Sequence, residues 1–255
     1  MRKTEAVIFD WAGTTVDYGC FAPVQAFAEV FKHFGIVPTM EEVRGPMGML
    51  KIDHIRTMLQ MERIQRLWRE QWGRDSGEED VLAMYRMFEV KLMGILDQYA
   101  GPKPYVLETA EKLRNRGIKI GSTTGYTDDM MQIVTREAKK EGYEPDAWFS
   151  PDSTGKIGRP FPYMIFKNME VLRVSAVENV VKVGDTVSDI REGKNAGVRT
   201  VGVVEGSSEM GMTREEYEAL TEEARLAEIK RVESIYRKAG VDHVIRNLRE
   251  LTDIL

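Results

Sequence analysis

An aspartate near the start of the chain follows a short apolar segment, and its position indicates chemistry. Residues 7–9 are Val-Ile-Phe, Asp10 comes next, and the small residues Gly13, Thr14 and Thr15 follow. This pattern predicts a buried strand with Asp10 at its carboxyl end, where ligands bind in open α/β sheets. A carboxylate at such a place acts as a nucleophile or as a metal ligand, and both roles are open at this point.

Three more groups of polar residues follow predicted strands or precede predicted helices. Thr124 and the amide of Gly125 lie before a helix, in a position suited to an anion. Arg159 also precedes a helix, and a guanidinium can neutralise a phosphoryl group with two hydrogen bonds. Asp185 ends a strand, and Asp189 lies one helical turn later on the same side. Carboxylates gathered here with the first aspartate suit Mg²⁺, which prefers hard oxygen ligands.

The elements that must position these residues alternate between strand and helix. The alternation predicts an α/β fold, a Rossmann-like parallel sheet with helices on both faces. The predicted strands span residues 5–10, 118–122, 147–150, 179–183, 200–204 and 241–245.

Residues 20–100 break this alternation, because their apolar residues recur at helical spacing. We predict four helices there, which begin near residues 21, 40 and 50 and after Gly77, and a linker at residues 101–104. The prediction is therefore an α/β core domain of residues 1–19 and 101–255, with an inserted all-helical cap domain of residues 20–100. Residues 213–238 are predicted to form one exposed amphipathic helix.

The composition limits which binding partners and which cellular compartment we expect for the protein. A formal net charge of −5 disfavours a nucleic-acid partner, because phosphate backbones require a basic surface. No apolar run approaches the length of a membrane span, so we expect no membrane partner. The N-terminal apolar segment is too short for a signal peptide. The single cysteine, Cys20, excludes an intrachain disulfide and favours a cytoplasmic location.

The order of the four polar groups resembles the four motifs of the haloacid dehalogenase (HAD) superfamily. The resemblance covers the whole chain and implies that Asp10 is a nucleophile that accepts a phosphoryl group. It also implies that Thr124 and Arg159 hold the phosphoryl oxygens, and that residues 20–100 form a mobile cap over the site.

The same resemblance implies a Mg²⁺ site. Its ligands are Asp10, Asp185 and the main-chain carbonyl of Ala12, and Asp189 orients the site. HAD phosphatases usually carry a second aspartate two residues after the nucleophile, where it protonates an alkoxide leaving group. Here that residue is Ala12, which has no proton to give.

Three longer stretches are similar to the phosphonoacetaldehyde hydrolase (phosphonatase) family, at residues 10–20, 45–54 and 121–127. That family uses a cap lysine to form a Schiff base with an aldehyde, and Lys51 stands at its position. The resemblance implies hydrolysis of phosphonoacetaldehyde to acetaldehyde and phosphate, in the degradation of phosphonates such as 2-aminoethylphosphonate. It also implies a homodimer through the cap, although the phenylalanines of the first cap helix would equally suit burial within one chain.

The chemistry of the P–C bond explains why Ala12 and Lys51 belong together. Cleavage of a phosphonate expels a carbanion, so protonation of an oxygen cannot help. An imine next to that carbon accepts the electron pair and becomes an enamine. Such an imine requires a lysine with a lowered pKa. We expect burial under the cap and a nearby cation to lower the pKa of Lys51.

Four other residues surround the predicted site. His54 lies three residues after Lys51 on the same helix face and is positioned to take protons during imine formation. Cys20 and Tyr126 either place Lys51 or only pack, and Met47 lines the substrate pocket or fills a gap.

Two other functions compete with this interpretation. One is a general HAD phosphomonoesterase or phosphomutase, which the lack of an acid at Ala12 disfavours. The other is a non-catalytic HAD-fold binding protein. A degenerate site is expected to lose Asp10, Arg159 or Asp185, and all three are present.

Overall fold

A computed structural model describes residues 4–255 and contains a parallel sheet of six strands. The first three residues of the predicted core domain lie outside this range. The sheet order is β3-β2-β1-β4-β5-β6, and every neighbouring pair is parallel. The strands are β1 Ala6–Phe9, β2 Lys119–Thr123, β3 Ala147–Phe149, β4 Val180–Gly184, β5 Arg199–Val203 and β6 His243–Ile245.

The α/β prediction is confirmed, and its six strands agree with the structure to within two residues. The strand β1 lies in the middle because all four of its residues are buried and apolar, as a strand covered on both faces requires. The chain builds one half of the sheet from β1 outward and then crosses to build the other half, so the strand order reverses beside β1.

Residues 20–100 contain five α-helices, rather than the four predicted. The prediction missed α4: the third predicted helix has its apolar face at Ile52, Ile55 and Leu59, and no helix was predicted between it and the one after Gly77. We call residues 20–100 the helical insertion. Its helices are α1 Phe21–His33, α2 Met40–Arg44, α3 Lys51–Leu59, α4 Glu62–Trp72 and α5 Glu78–Met93.

The remaining helices pack on the two faces and the far edge of the sheet. They are α6 Val106–Asn115, α7 Asp128–Lys140, α8 Tyr163–Val171, α9 Val187–Ala196, α10 Arg214–Ala219 and α11 Glu222–Lys238. The prediction of a single exposed helix over 213–238 is wrong. Thr221 starts a second helix with a side-chain cap, and the buried side chains of Val232 and Tyr236 pack that helix on the core.

An aromatic stack holds the helical insertion together. The Phe27 ring of α1 stacks on Phe88 of α5, with 4.2 Å between centroids, and also on His54 of α3. Phe31 is likewise fully buried, so these rings pack within one chain. Within residues 4–255, no helix combines the length and the apolar character that crossing a membrane requires.

Candidate active site

The reversal of strand order brings two aspartates together at the carboxyl edge of the sheet. Phe9 of β1 pairs with Val183 of β4, so the residues that follow these strands, Asp10 and Gly184, lie at one level, with Asp185 next. The amide of Asp10 continues the sheet by donating to the Val183 carbonyl over 2.9 Å. A crevice at such a reversal is where open α/β sheets bind ligands.

The turn after Asp10 shapes the floor of this crevice. The amides of Thr14 and Thr15 donate to the Trp11 carbonyl, which folds the chain back at once. Gly13 has φ +87°, and a Cβ there would come 2.1 Å from Oδ2 of Asp185. Only glycine allows this close approach. The Thr14 hydroxyl then donates to Oδ1 of Asp185 over 2.8 Å.

A buried cluster of carboxylates at this edge suits a metal ion. Carboxylate oxygens of Asp10, Asp185 and Asp189 lie within 4.8 Å of one another. Burial raises the pKa of Asp185 well above its ordinary value, and the neighbouring charges of Asp10 and Asp189 raise it further. A cation among these oxygens would relieve the repulsion, so the donors present fit a hard divalent metal.

Arg159 contacts the carboxylate of Asp10. Its Nη2 lies 2.5 Å from Oδ1 of Asp10 and also donates to the Thr123 hydroxyl over 2.9 Å. Its Nη1 lies 3.1 Å from Oδ1 of Asp189, and Nε donates to Glu192 over 3.0 Å. Burial alone would raise the pKa of Asp189, but Arg159 and Lys182 outweigh it and hold the pKa below its usual range.

Sequence reasoning missed two charged residues of this network, Lys182 and Glu192. Both are almost fully buried. The Nζ of Lys182 lies 2.9 Å from Asp189 and 3.3 Å from Glu192, and it donates to the Thr123 hydroxyl over 2.8 Å. The sequence offered two signals for these residues. Lys182 lies inside an otherwise apolar strand, and Glu192 follows Asp189 by three residues on the same helix face.

A small cavity of about 20 Å³ lies between this edge of the sheet and the helical insertion. That volume is on the scale of one water molecule. The structure brings most of the predicted site residues into its wall. These are Asp10, Ala12, Cys20, Met47, Lys51, Thr124, Gly125, Tyr126 and Arg159.

Lys51 enters the cavity from the first turn of α3 and is only 4% exposed. In the part of the chain that the structure describes, its Nζ makes no hydrogen bond and lies 5.1 Å from the centroid of the Tyr126 ring. Burial lowers the pKa of Lys51 below its ordinary 10.5, although Cys20 and Asp10 oppose the shift. The amine therefore gains the nucleophilic character that a carbonyl addition requires.

His54 lies beside Lys51 on α3 but behind the cavity wall, stacked on Phe27. Burial, followed by the charge of Lys51, lowers its pKa well below 6.5, so the imidazole is neutral near pH 7. Its Nε2 is 2.9 Å from the Val43 carbonyl, which can only accept, so Nε2 carries the proton. Among residues 4–255, Nδ1 has no hydrogen-bond partner and is left as a free acceptor.

The insertion approaches the core closely at two glycines. A Cβ on Gly48, which has φ +84°, would come 2.4 Å from the Thr186 hydroxyl. A Cβ on Gly125 would come 2.8 Å from the Met49 carbonyl. Thr124 meanwhile uses its hydroxyl to accept from the amide of Tyr126 over 3.0 Å, which shapes the loop around Gly125.

Comparison with known proteins identifies the family. The model of haloacid dehalogenase-like hydrolases matches residues 4–197, and a second HAD-hydrolase-like model matches residues 156–251. The phosphonoacetaldehyde hydrolase of Lysinibacillus sphaericus is 51% identical over 249 residues, which are 98% of this chain and 93% of that protein. The chain belongs to the phosphonoacetaldehyde hydrolase family. It is therefore a hydrolase of the HAD superfamily, as the motifs indicated.

A solved structure agrees with this assignment. A phosphonoacetaldehyde hydrolase-like protein from Oleispira antarctica superimposes with a TM-score of 0.95 at 38% identity, covering 99% of this chain and 91% of that one. A bifunctional phosphonoacetaldehyde hydrolase/aminoethylphosphonate transaminase from Clostridioides difficile is 52% identical over all of this chain. This chain spans 40% of that longer relative.

Proposed function

We propose that this enzyme hydrolyses the P–C bond of phosphonoacetaldehyde to acetaldehyde and phosphate, by way of an imine on Lys51 and an acyl phosphate on Asp10. The observation that carries the proposal is one small cavity lined by both a buried amine with a lowered pKa and a carboxylate paired with arginine. Imine formation requires such an amine, whereas a phosphomonoesterase requires an acid for its leaving oxygen, which Ala12 does not supply. The family membership of the chain supports the same substrate.

The amine of Lys51 attacks the aldehyde carbon and, after loss of water, forms an imine. The Asp10 carboxylate then attacks phosphorus, and the P–C bond breaks. Its electron pair moves onto the carbon chain, where the imine takes it up as an enamine. A proton added to the enamine carbon regenerates an imine, and one water releases acetaldehyde from Lys51. A second water splits the acyl phosphate and restores Asp10.

Residues of the core bind the phosphoryl group in this proposal. Arg159 shifts its hydrogen bonds from the carboxylate of Asp10 to the phosphoryl oxygens as negative charge builds up on them. The hydroxyl of Thr124 and the amide of Gly125 bind other oxygens of the same group. Both residues line the cavity opposite Lys51, and this position supports their role.

Asp10, Asp185 and the main-chain carbonyl of Ala12 would hold Mg²⁺, and Asp189 would orient the site. The ion would neutralise charge on the transferring phosphoryl group. The tight cluster of carboxylates supports a metal here. The choice of Mg²⁺ rests on the preference of this ion for oxygen ligands.

Residues near Lys51 manage its protons and position. The free Nδ1 of His54 is the acceptor we assign to proton transfer during imine formation. Burial raises the pKa of both Cys20 and Tyr126 well above their ordinary values, so both stay protonated and contact the substrate or Lys51 as neutral groups. Met47 forms an apolar part of the substrate pocket.

We also propose that the helical insertion, residues 20–100, is a domain that opens and closes as a cap over the core of residues 1–19 and 101–255. A cytoplasmic homodimer through this insertion remains part of the proposal. Because Phe27 and Phe31 are buried within one chain, the dimer contact would use exposed insertion residues such as Val37 and Trp72. Light scattering on the purified protein measures the mass of the assembly.

Phosphate release from two substrates tests the proposed function. Phosphonoacetaldehyde should release phosphate in the presence of Mg²⁺, whereas a generic aryl phosphate should release far less, because no acid stands at Ala12 to protonate its leaving oxygen. A chelator should abolish the release, and added Mg²⁺ should restore it. Faster turnover of the aryl phosphate would favour a phosphomonoesterase instead. Full turnover in the chelator would overturn the metal site.

A further inference from the structure

The loop that follows β5 contacts both linkers to the insertion and the carboxylate of Asp185. We call residues 204–211 the β5 loop. The amide of Gly19, in the first linker to the insertion, donates to the Gly206 carbonyl over 2.8 Å. The amine of Lys103, in the second linker, donates to the same carbonyl over 2.8 Å. The amide of Ser208 donates to Oδ2 of Asp185 over 2.7 Å.

The insertion reaches this loop through one arginine. Arg44 ends α2, and its Nη1 donates to the carbonyls of Ser208 and Gly19 over 3.1 and 2.9 Å. Its guanidinium also lies over the Phe21 ring, 5.0 Å from the centroid. A Cβ on Gly211 would come 2.8 Å from Nε of Arg44, so the β5 loop leaves a fitted place for this side chain.

Ser208 therefore makes hydrogen bonds through both its main-chain amide and its main-chain carbonyl. Its amide holds a carboxylate of the proposed metal site, and its carbonyl holds the insertion. The cavity has space for about one water molecule, so the proposed opening of the insertion would enlarge it to admit a substrate. That opening would break the bond from Arg44 to Ser208, whose amide, together with the Thr14 hydroxyl, holds the Asp185 carboxylate.

We propose that Arg44 is a positioning residue through which closure of the insertion and cation binding at Asp185 stabilise each other. Closure holds the β5 loop in the arrangement that aims Asp185, and a cation bound at Asp185 favours that same arrangement. Coupling of this kind is reciprocal, because each event changes the equilibrium of the other by one factor. The inference rests on the metal site proposed above.

Arg44→Met tests the coupling, and Arg225→Met is its matched control. Arg225 makes the same kinds of contact as Arg44, but entirely within the core domain. Its guanidinium lies over the Tyr217 ring, 5.1 Å from the centroid, and it donates to two main-chain carbonyls. Calorimetry measures Mg²⁺ binding without substrate. Hydrogen–deuterium exchange measures protection of residues 46–55 of the insertion, with and without Mg²⁺.

We expect Arg44→Met to bind Mg²⁺ about fivefold more weakly, at the low end of measured couplings between sites. Mg²⁺ should slow exchange in residues 46–55 of the wild type and of Arg225→Met, but not of Arg44→Met. Arg44→Lys keeps a cationic donor and should restore part of both effects. A merely structural arginine would lower stability in Arg44→Met without removing the response to Mg²⁺.

Two results would overturn the inference, and they are distinguishable. If the wild type binds Mg²⁺ and Arg44→Met binds it equally tightly with the same protection, the coupling is wrong while the metal site stands. If the wild type itself binds no Mg²⁺, the metal site is wrong, and the coupling fails with it.

Discussion

The two sides of the cavity hold their charged residues in opposite ways. On the core side, the buried cations Arg159 and Lys182 both contact carboxylates, at distances from 2.5 to 3.3 Å. On the insertion side, Lys51 faces an aromatic ring, and His54 has a bare Nδ1. The core side is therefore a network of ion pairs, whereas the insertion side is largely apolar and contains one amine that no carboxylate contacts.

This difference matches two kinds of chemistry. Transfer of a phosphoryl group develops negative charge, which fixed and oriented cations stabilise. Addition of an amine to an aldehyde requires a neutral amine, which burial without a bonded carboxylate favours. Burial by itself lowers the pKa of both cations. The contacting carboxylates of Asp10, Asp189 and Glu192 more than offset it at Arg159 and raise that pKa above its ordinary value, whereas no acid contacts Lys51 directly and its pKa stays lowered.

The largest effects we predict are losses of turnover. The stability of a variant then distinguishes the insertion side of the cavity from the core side. Lys51→Met and Asp10→Asn should each lower turnover by about 10⁴-fold or more, as loss of a covalent nucleophile does in other enzymes. Lys51→Met should nevertheless unfold at the same or a higher urea concentration than the wild type, since it removes an amine that is costly to charge. Lys91→Met, at a surface pair with Glu29, is the control and should stay active. A strongly destabilised Lys51→Met would contradict the comparison.

The core side should respond to the loss of a cation with a large loss of stability. Arg159→Met removes the guanidinium that contacts Asp10, Asp189 and Glu192, and Lys182 still contacts the last two. Its free energy of unfolding should fall by about 3–5 kcal/mol, the usual result of breaking a buried ion pair. Arg214→Met breaks only an exposed pair and should cost less than about 0.5 kcal/mol. Urea titrations without metal measure both, and equal losses would refute the compensated network.

The pH dependence of imine formation should report the lowered pKa of Lys51. The neutral amine reacts, so the rate is constant above this pKa and falls about tenfold per pH unit below it. Burial lowers the pKa, which places the fall at a pH below the ordinary 10.5. Single-turnover trapping with cyanoborohydride measures it. In Asp10→Asn the fall should move to still lower pH, because Asp10 raises this pKa. If the rate instead falls around pH 10.5, the pKa of Lys51 is that of an ordinary surface lysine, and the prediction is wrong.

The smallest effect concerns Ala12. In Ala12→Asp a carboxylate joins the cavity wall beside Asp10, so cleavage of phosphonoacetaldehyde should drop by about tenfold or less, about 1.4 kcal/mol in the barrier. The weak hydrolysis of an aryl phosphate should rise, because the new acid can protonate an oxygen. Initial rates on both substrates measure this. A variant that cleaves the phosphonate faster than the wild type does would count against the electron-sink argument.

Much of the sheet and of the cavity wall could be predicted from the sequence, because short motifs mark them. Asp10 and Asp185 follow apolar strands directly, and strand order then brings them together. The residues that form ion pairs and hydrogen bonds behind these aspartates belong to no recognisable motif. Lys182 interrupts an apolar strand without a motif, and its partners Thr123 and Glu192 become neighbours only in the folded chain.

The helical insertion was harder to predict in detail. Four of its five helices were recognised by periodicity, but α4 carries charged or amide side chains at most of its positions and was not predicted. The contact from Arg44 to Ser208 joins residues 164 positions apart, and no local pattern predicts it.

The central claim is that Lys51 forms an imine with the substrate, and reductive trapping tests it most directly. Borohydride reduces an imine to a stable secondary amine. Phosphonoacetaldehyde and borohydride together should therefore inactivate the enzyme irreversibly, while either alone should not, and peptide mapping should place the added mass on Lys51. Retained activity, or a label on a different lysine, would contradict the mechanism, even though the HAD fold would stand.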